Sequence, residues 1–306
     1  MHLKILGSAA GGGFPQWNCA CPNCRLVRDG VAAYKRRSQT QVAVSSDGKS
    51  WFLLGASPDL RPQIEACPEL QPTGGLRSSP IAGVVLANAD LDHTLGLLLL
   101  RELQPLQVYA TNSVIHVLRD QNSMFRMLNR VPGQVRWQAI RPEVSFPLLT
   151  TEGEETGITC RSVPLSPRYP PYVQDSGLDS REAVLGLILA SDAGRSIAYF
   201  PNVAALSEEL RQQLGKADIV LFDGTFFSDD ELIRVQGSGQ RARAMGHIPV
   251  GGPEGSLRQL AGLPASCKMY IHINNTNPML NQAGSEYAAV RDAGWELAED
   301  GWQTTL

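Results

Sequence analysis

The sequence has no long apolar run, because no window of its 306 residues approaches the ~18 continuous apolar residues that a membrane helix needs. Its net charge is only −3, so it has neither the basic surface of a nucleic-acid-binding protein nor an acidic tail. Residues 1–7 are too short and too soon interrupted by glycine for a secretory signal. The sequence therefore predicts a cytoplasmic protein with no membrane span and no nucleic-acid partner.

The chain also lacks a linker, a low-complexity segment or a block of like charge that would divide it. With 43% hydrophobic and 19% charged residues, it can build a sizeable core. In each half, hairpin-like strands come first, and strands alternating with helices follow. This order predicts an α+β fold of two mixed sheets stacked face to face with helices outside, as a single domain over residues 1–306.

Apolar runs and turn residues place the individual elements. Strands are predicted at 3–6, 40–45, 51–54, 81–86, 108–110, 158–163, 183–190, 195–200, 219–222 and 269–273. Helical segments are predicted at 58–65, 95–103, 111–128, 207–215 and 286–292.

The six cysteines are few and unevenly spread, and three of them form a Cys-x-Cys-x-x-Cys cluster of Cys19, Cys21 and Cys24. A reducing compartment argues against disulfides, and three such close thiolates can converge on one soft cation. A structural Zn²⁺ takes four tetrahedral ligands, so a fourth must come from elsewhere in the chain. The alternative is a redox pair of Cys21 and Cys24, which needs no third neighbour.

Polar residues of the kinds that bind metals or move protons collect where predicted strands end, as is common because a rigid sheet positions such loops. They are Asp90, Asp92 and His93 after 81–86, Asp223 after 219–222, His272 at the end of 269–273, and His247 in the loop 245–249. Of the two other histidines, His2 is terminal and His116 is predicted to be a surface or packing residue of a helix.

Several motifs together resemble the coenzyme PQQ synthesis protein B (PqqB) family of the metallo-β-lactamase-fold superfamily. They are Gly-Gly-Gly-Phe-Pro-Gln-Trp-Asn-Cys at 11–19, the cysteine cluster, Asn-x-Asp-x-Asp-His-Thr-x-Gly at 88–96, Phe-Asp-Gly-Thr-Phe-Phe at 222–227, Met-Gly-His-Ile-Pro at 245–249, and His-Ile-Asn-Asn-Thr-Asn-Pro at 272–278. The resemblance spans essentially the whole chain, and the joint match is specific although each motif alone is weak.

The sequence departs from the dinuclear hydrolase signature His-x-His-x-Asp-His by losing expected metal ligands. Asn88 and Asp90 replace the two leading histidines, Asn202 stands near the expected bridging aspartate, and the loop 165–168 has no histidine. Asp92, His93 and His272 remain, with Asp90 nearby. Two histidines and one carboxylate form the ligand set of non-haem Fe(II) oxygenases, although zinc also binds such a set.

The resemblance implies iron and O₂ as the reactive pair and the tyrosine-derived ring of a cross-linked Glu–Tyr intermediate as the substrate, on the route to PQQ. On this hypothesis Asp90 is a fourth ligand or a base, His247 is an acid/base, and Asp223 orients a ligating histidine. The residues predicted to meet the substrate are Arg25, Arg168, Tyr169 and Asn274.

Three questions stay open from the sequence. The fourth zinc ligand is Asn275 or a water, unless His272 is drawn to the zinc instead. The function has two alternatives, a zinc metallo-hydrolase and a non-catalytic PQQ carrier or export protein. The oligomeric state is undetermined, and a homodimer is one assembly that the sequence allows.

Overall fold

A computed structural model describes residues 1–175 and 177–306 of the chain. The strands are β1 (His2–Gly7), β2 (Gln41–Ser45), β3 (Trp51–Leu54), β4 (Ile81–Val85), β5 (Leu106–Thr111), β6 (Val135–Ile140), β7 (Ser145–Leu149), β8 (Glu155–Ser166), β9 (Val184–Ser191), β10 (Ser196–Phe200), β11 (Ile219–Asp223), β12 (Cys267–Ile271), β13 (Glu296–Leu297) and β14 (Gln303–Thr305). The helices are α1 (Pro22–Arg28), α2 (Leu60–Glu65), α3 (Leu91–Thr94), α4 (Asn112–Ile115), α5 (Glu208–Leu214), α6 (Glu231–Gln236), α7 (Ser256–Gln259) and α8 (Ser285–Asp292).

The chain divides into two compact units. The first unit contains Met1–Gly7, Gln41–Arg195 and Gly301–Leu306, and the second contains Ser8–Thr40 and Ser196–Asp300. That the whole chain forms one domain stays a prediction.

The first unit contains a seven-stranded mixed sheet in the order β14-β1-β2-β3-β4-β5-β6. Strands β1 to β3 pair antiparallel, whereas β3 to β6 pair parallel. Every residue of β2, β3, β4 and β5 is buried, as expected of strands covered on both faces. The same unit contains an antiparallel ladder of β7, β8 and β9.

The second unit contains four parallel strands, β10 to β13. Its core includes Tyr270 stacked on Trp295 at a centroid distance of 4.6 Å, with Phe222 edge-on to both rings. Asp223, the last residue of β11, pairs with Ile271, the last residue of β12. Because parallel strands end at the same edge, Asp223 and the following His272 are brought together there.

The predicted strands and most predicted helices agree with the structure to within a few residues. The prediction of one helix over 111–128 is wrong. Helix α4 ends at Ile115, a π turn covers His116–Asp120, and Asn122 then adopts an extended conformation and caps a separate 3₁₀ segment, Ser123–Asn129. Residues 95–100 form a 3₁₀ helix, so the predicted helical segment is tighter and shorter than 95–103. Among the described residues, no helix is long and apolar enough to cross a membrane.

Candidate metal centres

In the first unit, the Asp90, Asp92 and His93 side chains project from the loop after β4 and the start of α3. Asp90 is the N-cap residue of α3, and its carbonyl accepts hydrogen bonds from His93 N at 3.0 Å and Thr94 Oγ1 at 2.9 Å. His93 is buried, whereas the two aspartates are partly exposed. The turn therefore presents two carboxylates and one imidazole from four consecutive residues.

Close backbone packing holds this turn against the end of β3. Ala56 N donates to His93 O at 2.7 Å, and Gly96 N donates to Ala56 O at 2.9 Å. A Cβ on Gly96 would lie 2.3 Å from Ser57 O, so only glycine fits there. Gly55 has φ +83, and a Cβ on it would lie 3.2 Å from His93 Nδ1. The glycine of the 88–96 motif thus allows the approach that fixes His93.

Asn88, at the first position of the motif, is fully buried, and its side chain is already engaged. Its Oδ1 accepts a hydrogen bond from Asp90 N at 3.1 Å, in an Asx-turn. Its Nδ2 is buried with no hydrogen-bond partner among the described residues and is a donor, so it has no lone pair for a metal. Asn88 is therefore a weaker ligand than the histidine found here in the hydrolase signature, since only its neutral amide oxygen could bind a metal.

In the second unit, Asp223 and His247 form a buried pair. Asp223 is 0% exposed and its Oδ2 lies 2.7 Å from His247 Nδ1. The same oxygen accepts a hydrogen bond from Val203 N at 2.9 Å. Burial alone would raise the pKa of Asp223, but the nearby His247 imidazole and these hydrogen bonds lower it below its usual value. Asp223 is thus an ionised acceptor that keeps a hydrogen on His247 Nδ1.

Thr225 connects the same carboxylate to His272. Its hydroxyl lies 2.7 Å from Asp223 Oδ1 and 2.9 Å from His272 Nδ1. The hydroxyl has one hydrogen and two acceptors nearby, Asp223 Oδ1 and the His272 carbonyl at 2.9 Å. Because the ionised carboxylate is closer and is the stronger acceptor, the hydroxyl donates to Asp223 and accepts from His272 Nδ1–H. His272 is thereby set in the tautomer whose Nε2 has a lone pair for a metal or a proton.

The two histidines of the second unit lie face to face. The His247 and His272 rings stack with centroids 5.7 Å apart and planes inclined by 20°. His272 adopts φ 60, a left-handed conformation that is uncommon outside glycine. Donor atoms of Asp223, His247 and His272 all lie within 4.8 Å of one another. Strained backbone and convergent buried donors are typical of functional sites.

Cys19, Cys21 and Cys24 converge as predicted, and their sulfurs lie within 4.8 Å of one another. Pro22 starts helix α1, which carries Cys24 into the interior while Cys21 stays at the N-cap position. Asn275 Nδ2 lies 3.1 Å, 3.7 Å and 3.4 Å from the sulfurs of the three cysteines in chain order. The Asn275 amide thus occupies the fourth side of the cluster.

The electrostatics of this cluster favour a cation. Burial and the neighbouring thiols raise the pKa of Cys21 to about 12. Burial opposes ionisation of Cys19 too, but hydrogen bonds from Cys21, Cys24 and Asn275 lower its pKa. Three thiolates this close repel one another unless a positive ion lies between them, and Zn²⁺ bound by thiolates removes that penalty.

The four predicted substrate-binding residues are distributed over both units. Arg25 lies exposed on α1 beside the cysteine cluster, and Arg168 is exposed in the loop after β8. The Tyr169 hydroxyl donates to Asp179 O at 2.6 Å. Asn274 Nδ2 donates to Thr276 Oγ1 at 2.6 Å. Their roles toward a substrate stay predictions, as does the joint metal binding of Asp92 and His93 from the first unit with His272 from the second.

Three residues that the sequence analysis did not single out are central to the second unit. Thr225 connects Asp223 to His272, Asn23 Nδ2 donates to the carbonyls of Asn275 and Asn277, and Glu231 is buried beside Thr276. Thr225 lies in the 222–227 motif, but nothing in its identity indicates two histidine-site contacts. A glutamate at the start of a short helix reads as an ordinary exposed residue.

Comparisons with known proteins agree with this architecture. The model of the Beta-lactamase superfamily domain matches residues 50–273. The coenzyme PQQ synthesis protein B of Pseudomonas paraeruginosa is 41% identical over 313 residues, covering 100% of both chains. That of Methylorubrum extorquens is 40% identical over 304 residues, covering 98% of both.

Among solved structures, the Zn²⁺-bound PqqB from Methylobacterium extorquens superposes with a TM-score of 0.92 at 38% identity over 100% of both chains. A diphosphatase of the PhnP family superposes with a TM-score of 0.67 at 19% identity, over 99% of this chain and 96% of the other, which shows the fold alone.

The predicted α+β, metallo-β-lactamase-like fold is confirmed, and it suggests a metal-dependent enzyme. The convergent donor sets support metal binding. On these grounds the chain belongs to the coenzyme PQQ synthesis protein B family, within the β-lactamase superfamily.

Proposed function

We propose that this protein acts in PQQ biosynthesis by hydroxylating the tyrosine-derived ring of the cross-linked Glu–Tyr intermediate, with Fe(II) and O₂. Full-length identity of about 40% to PQQ synthesis proteins supports the pathway. The observation that carries the chemistry is the hydrogen-bonded chain from Asp223 through Thr225 to His272, because it leaves Nε2 of a buried histidine as a ready ligand.

The iron ligands in this proposal are Asp92, His93 and His272. Two imidazoles and a carboxylate suit Fe(II) and leave coordination positions open. When bound, the metal would supply the one-electron and oxygen chemistry that side chains lack. Asp90 completes the set as a fourth ligand or receives the phenolic proton of the ring, for which its partial exposure leaves it accessible.

Asn88 supports a single metal over the two-metal alternative. A dinuclear hydrolase needs a strong ligand at this position, whereas Asn88 offers only a neutral amide oxygen that already accepts one hydrogen bond, from Asp90 N. The departures at Asn88 and Asn202 both replace a strong ligand by a neutral amide. A reaction through two metals and a bridging hydroxide therefore has weaker support in this chain than mononuclear chemistry.

His247 and Asp223 form the acid/base arm of the proposal. Asp223 holds a hydrogen on His247 Nδ1, which leaves Nε2 to accept or return a proton. Stacking against His272 places this second imidazole next to a proposed ligand. A structural Zn²⁺ held by Cys19, Cys21 and Cys24, with the Asn275 amide oxygen or a water as fourth ligand, would stabilise the same unit.

The proposed substrate contacts are Arg25, Arg168, Tyr169 and Asn274, whose positive or polar groups suit the carboxylates of a PQQ precursor. All six cysteines are free thiols, which suits the reducing cytoplasm in which we place the protein. The proposal holds for a monomer or a homodimer.

The test is anaerobic reconstitution with Fe(II), addition of the cross-linked Glu–Tyr substrate and ascorbate as reductant, and admission of ¹⁸O₂. Inserting one oxygen atom into the ring needs two electrons and two protons to reduce the other atom to water. Mass spectrometry should show labelled oxygen in the product of the wild-type protein and none with His93→Ala.

Two outcomes would replace the proposal. Tight binding of PQQ without oxygen consumption would favour the carrier, and hydrolysis of an ester or phosphodiester with two bound zinc ions would favour the hydrolase. Full zinc retention at the cysteines in His93→Ala would show that lost activity does not reflect unfolding.

A further inference from the structure

Glu231 is a buried carboxylate that belongs to none of the three donor sets described above. It is the first residue of α6 and is only 3% exposed. A buried carboxylate is costly unless its oxygens accept hydrogen bonds. A carboxylate at this position therefore needs hydrogen-bond donors, and one of these donors lies next to the cysteine cluster.

Both Glu231 oxygens accept hydrogen bonds from backbone or side-chain donors. Oε1 accepts from Thr276 Oγ1 at 2.6 Å, and Oε2 accepts from Phe227 N at 2.7 Å. Thr276 Oγ1 in turn accepts from Asn274 Nδ2 at 2.6 Å. A chain of short hydrogen bonds thus runs from α6 to Thr276 and Asn274, the two neighbours of Asn275.

The opposite side of the segment 274–277 is held by other amides. Asn23 Nδ2 donates to Asn275 O at 3.1 Å and to Asn277 O at 2.9 Å. Asn277 Nδ2 donates to Gly224 O at 2.9 Å and to Thr225 O at 3.2 Å. These hydrogen bonds hold the segment 274–277, from which the Asn275 side chain points at the three sulfurs.

We propose that Glu231 is a positioning residue that braces Thr276 and Asn274 and thereby orients the Asn275 amide at the cysteine cluster. The proposal rests on metal binding by that cluster. Asn275 Nδ2 faces the sulfurs and has no lone pair for a metal, so a half-turn of the amide is needed to present Oδ1 as the fourth ligand. This neutral oxygen is the weakest of the four donors, so the affinity of the site depends most on how well the amide is placed. An outer hydrogen-bond partner of a metal ligand typically changes affinity 10- to 100-fold.

Burial and hydrogen bonding act on the pKa of Glu231 in opposite directions. Burial raises the pKa of Glu231 to about 7, while the hydrogen bonds from Thr276 and the backbone at 227 and 228 and the charge of Arg234 oppose that rise. Glu231 also lines a cavity of about 510 Å³ together with Cys21, Arg234 and Glu286. Glu286 is a suitable control residue, because its carboxylate lines the same cavity. It accepts a hydrogen bond from Ser285 and not from the 274–277 segment.

The experiment loads the full-length protein with Co(II), whose thiolate charge-transfer and d–d bands report the geometry of the cysteine site. Affinity is measured by chelator competition for the wild type, Glu231→Ala, Glu231→Gln, Thr276→Val and the Glu231→Ala/Thr276→Val double variant. Glu286→Ala is the control. The milder Glu231→Gln keeps one acceptor oxygen and is informative even if Glu231→Ala fails to fold.

We expect each single variant to weaken Co(II) binding by about tenfold or more and to shift the d–d bands. The double variant should be no worse than the worse single variant, because both act through one contact. Wild-type affinity and spectrum in folded Glu231→Gln and Thr276→Val, or additive losses in the double variant, would overturn the proposal. If the wild type itself binds no Co(II) at the cysteines, the proposed metal site fails, and this inference fails with it.

Discussion

The Asp223 carboxylate lies 2.7 Å from His247 Nδ1, and both side chains are buried. Asp223 ends β11, so its position is set by the strand, whereas His247 lies in a loop 24 residues later. The other oxygen of Asp223 reaches His272 through Thr225. One carboxylate therefore sets the hydrogen positions of two histidines.

We predict that Asp223→Asn lowers turnover in the oxygen-incorporation assay by 10- to 100-fold, because the amide can no longer hold both imidazoles with hydrogen on Nδ1. Nitrogen NMR of His247 and His272 should show altered tautomers. Asp292→Asn, which removes an exposed charge on α8, is the control and should leave both readings unchanged. Unchanged tautomers in Asp223→Asn would contradict the assigned role.

Replacing Thr225 by valine removes a hydroxyl while keeping the side-chain volume. We expect about 1–3 kcal/mol of lost unfolding free energy, because Asp223 Oδ1 and His272 Nδ1 each lose a buried partner. Urea denaturation measures this loss. Thr225→Ser restores the hydroxyl and should recover the His272 tautomer; failure of this rescue would show that the methyl group, not the hydroxyl, matters.

For His93→Ala we predict loss of one bound iron and of oxygen incorporation, with zinc retained at the cysteines. Metal analysis after anaerobic reconstitution measures both ions. His116→Ala is the matched control, since His116 is exposed and pairs with surface groups such as Asp120. Iron retained at full stoichiometry in His93→Ala would exclude His93 as a ligand.

Cys24→Ser should remove zinc and lower the melting temperature, because a structural metal bound only by the folded state adds its binding free energy to stability. A chelator should shift the wild type towards the melting temperature of this variant. Cys267→Ser, a partly exposed cysteine outside the cluster, should retain zinc and show little shift. An equal loss in both variants would point to general packing defects.

Glu231 predicts a specific pH dependence of stability. Burial raises its pKa to about 7, above the 4.5 of an unfolded glutamate, so folding favours the protonated form. Its contribution to stability is therefore full below the unfolded pKa and is lost as pH rises through about 7, by about 3 kcal/mol in total. Glu231→Gln cannot titrate, so its unfolding free energy should fall less than that of the wild type between about pH 4.5 and 8. Parallel pH profiles for the two proteins would contradict this prediction.

Much of the architecture follows from local pattern. Strands such as β4 and β11 can be predicted because a parallel strand buried on both faces is a continuous apolar run. The cysteine cluster can be predicted because its three residues are close in sequence as well as in space. The helix predicted over 111–128 fails because Asn122 turns its side chain back on the backbone at Met124, a local competition that apolar spacing does not reveal.

Residue identity and spacing are enough to identify the family motifs, the cysteine cluster, the strand-end histidines and the loss of hydrolase ligands at Asn88 and Asn202. The contacts that connect these groups depend on the folded structure. Thr225 contacts both Asp223 and His272, and Glu231 contacts Thr276. The Thr225–His272 and Glu231–Thr276 contacts join residues that are 45 or more positions apart in the chain. Such hydrogen bonds depend on the distance and direction between two groups in space, and residue identity gives neither quantity. They form because the parallel strands β11 and β12 bring their ends together.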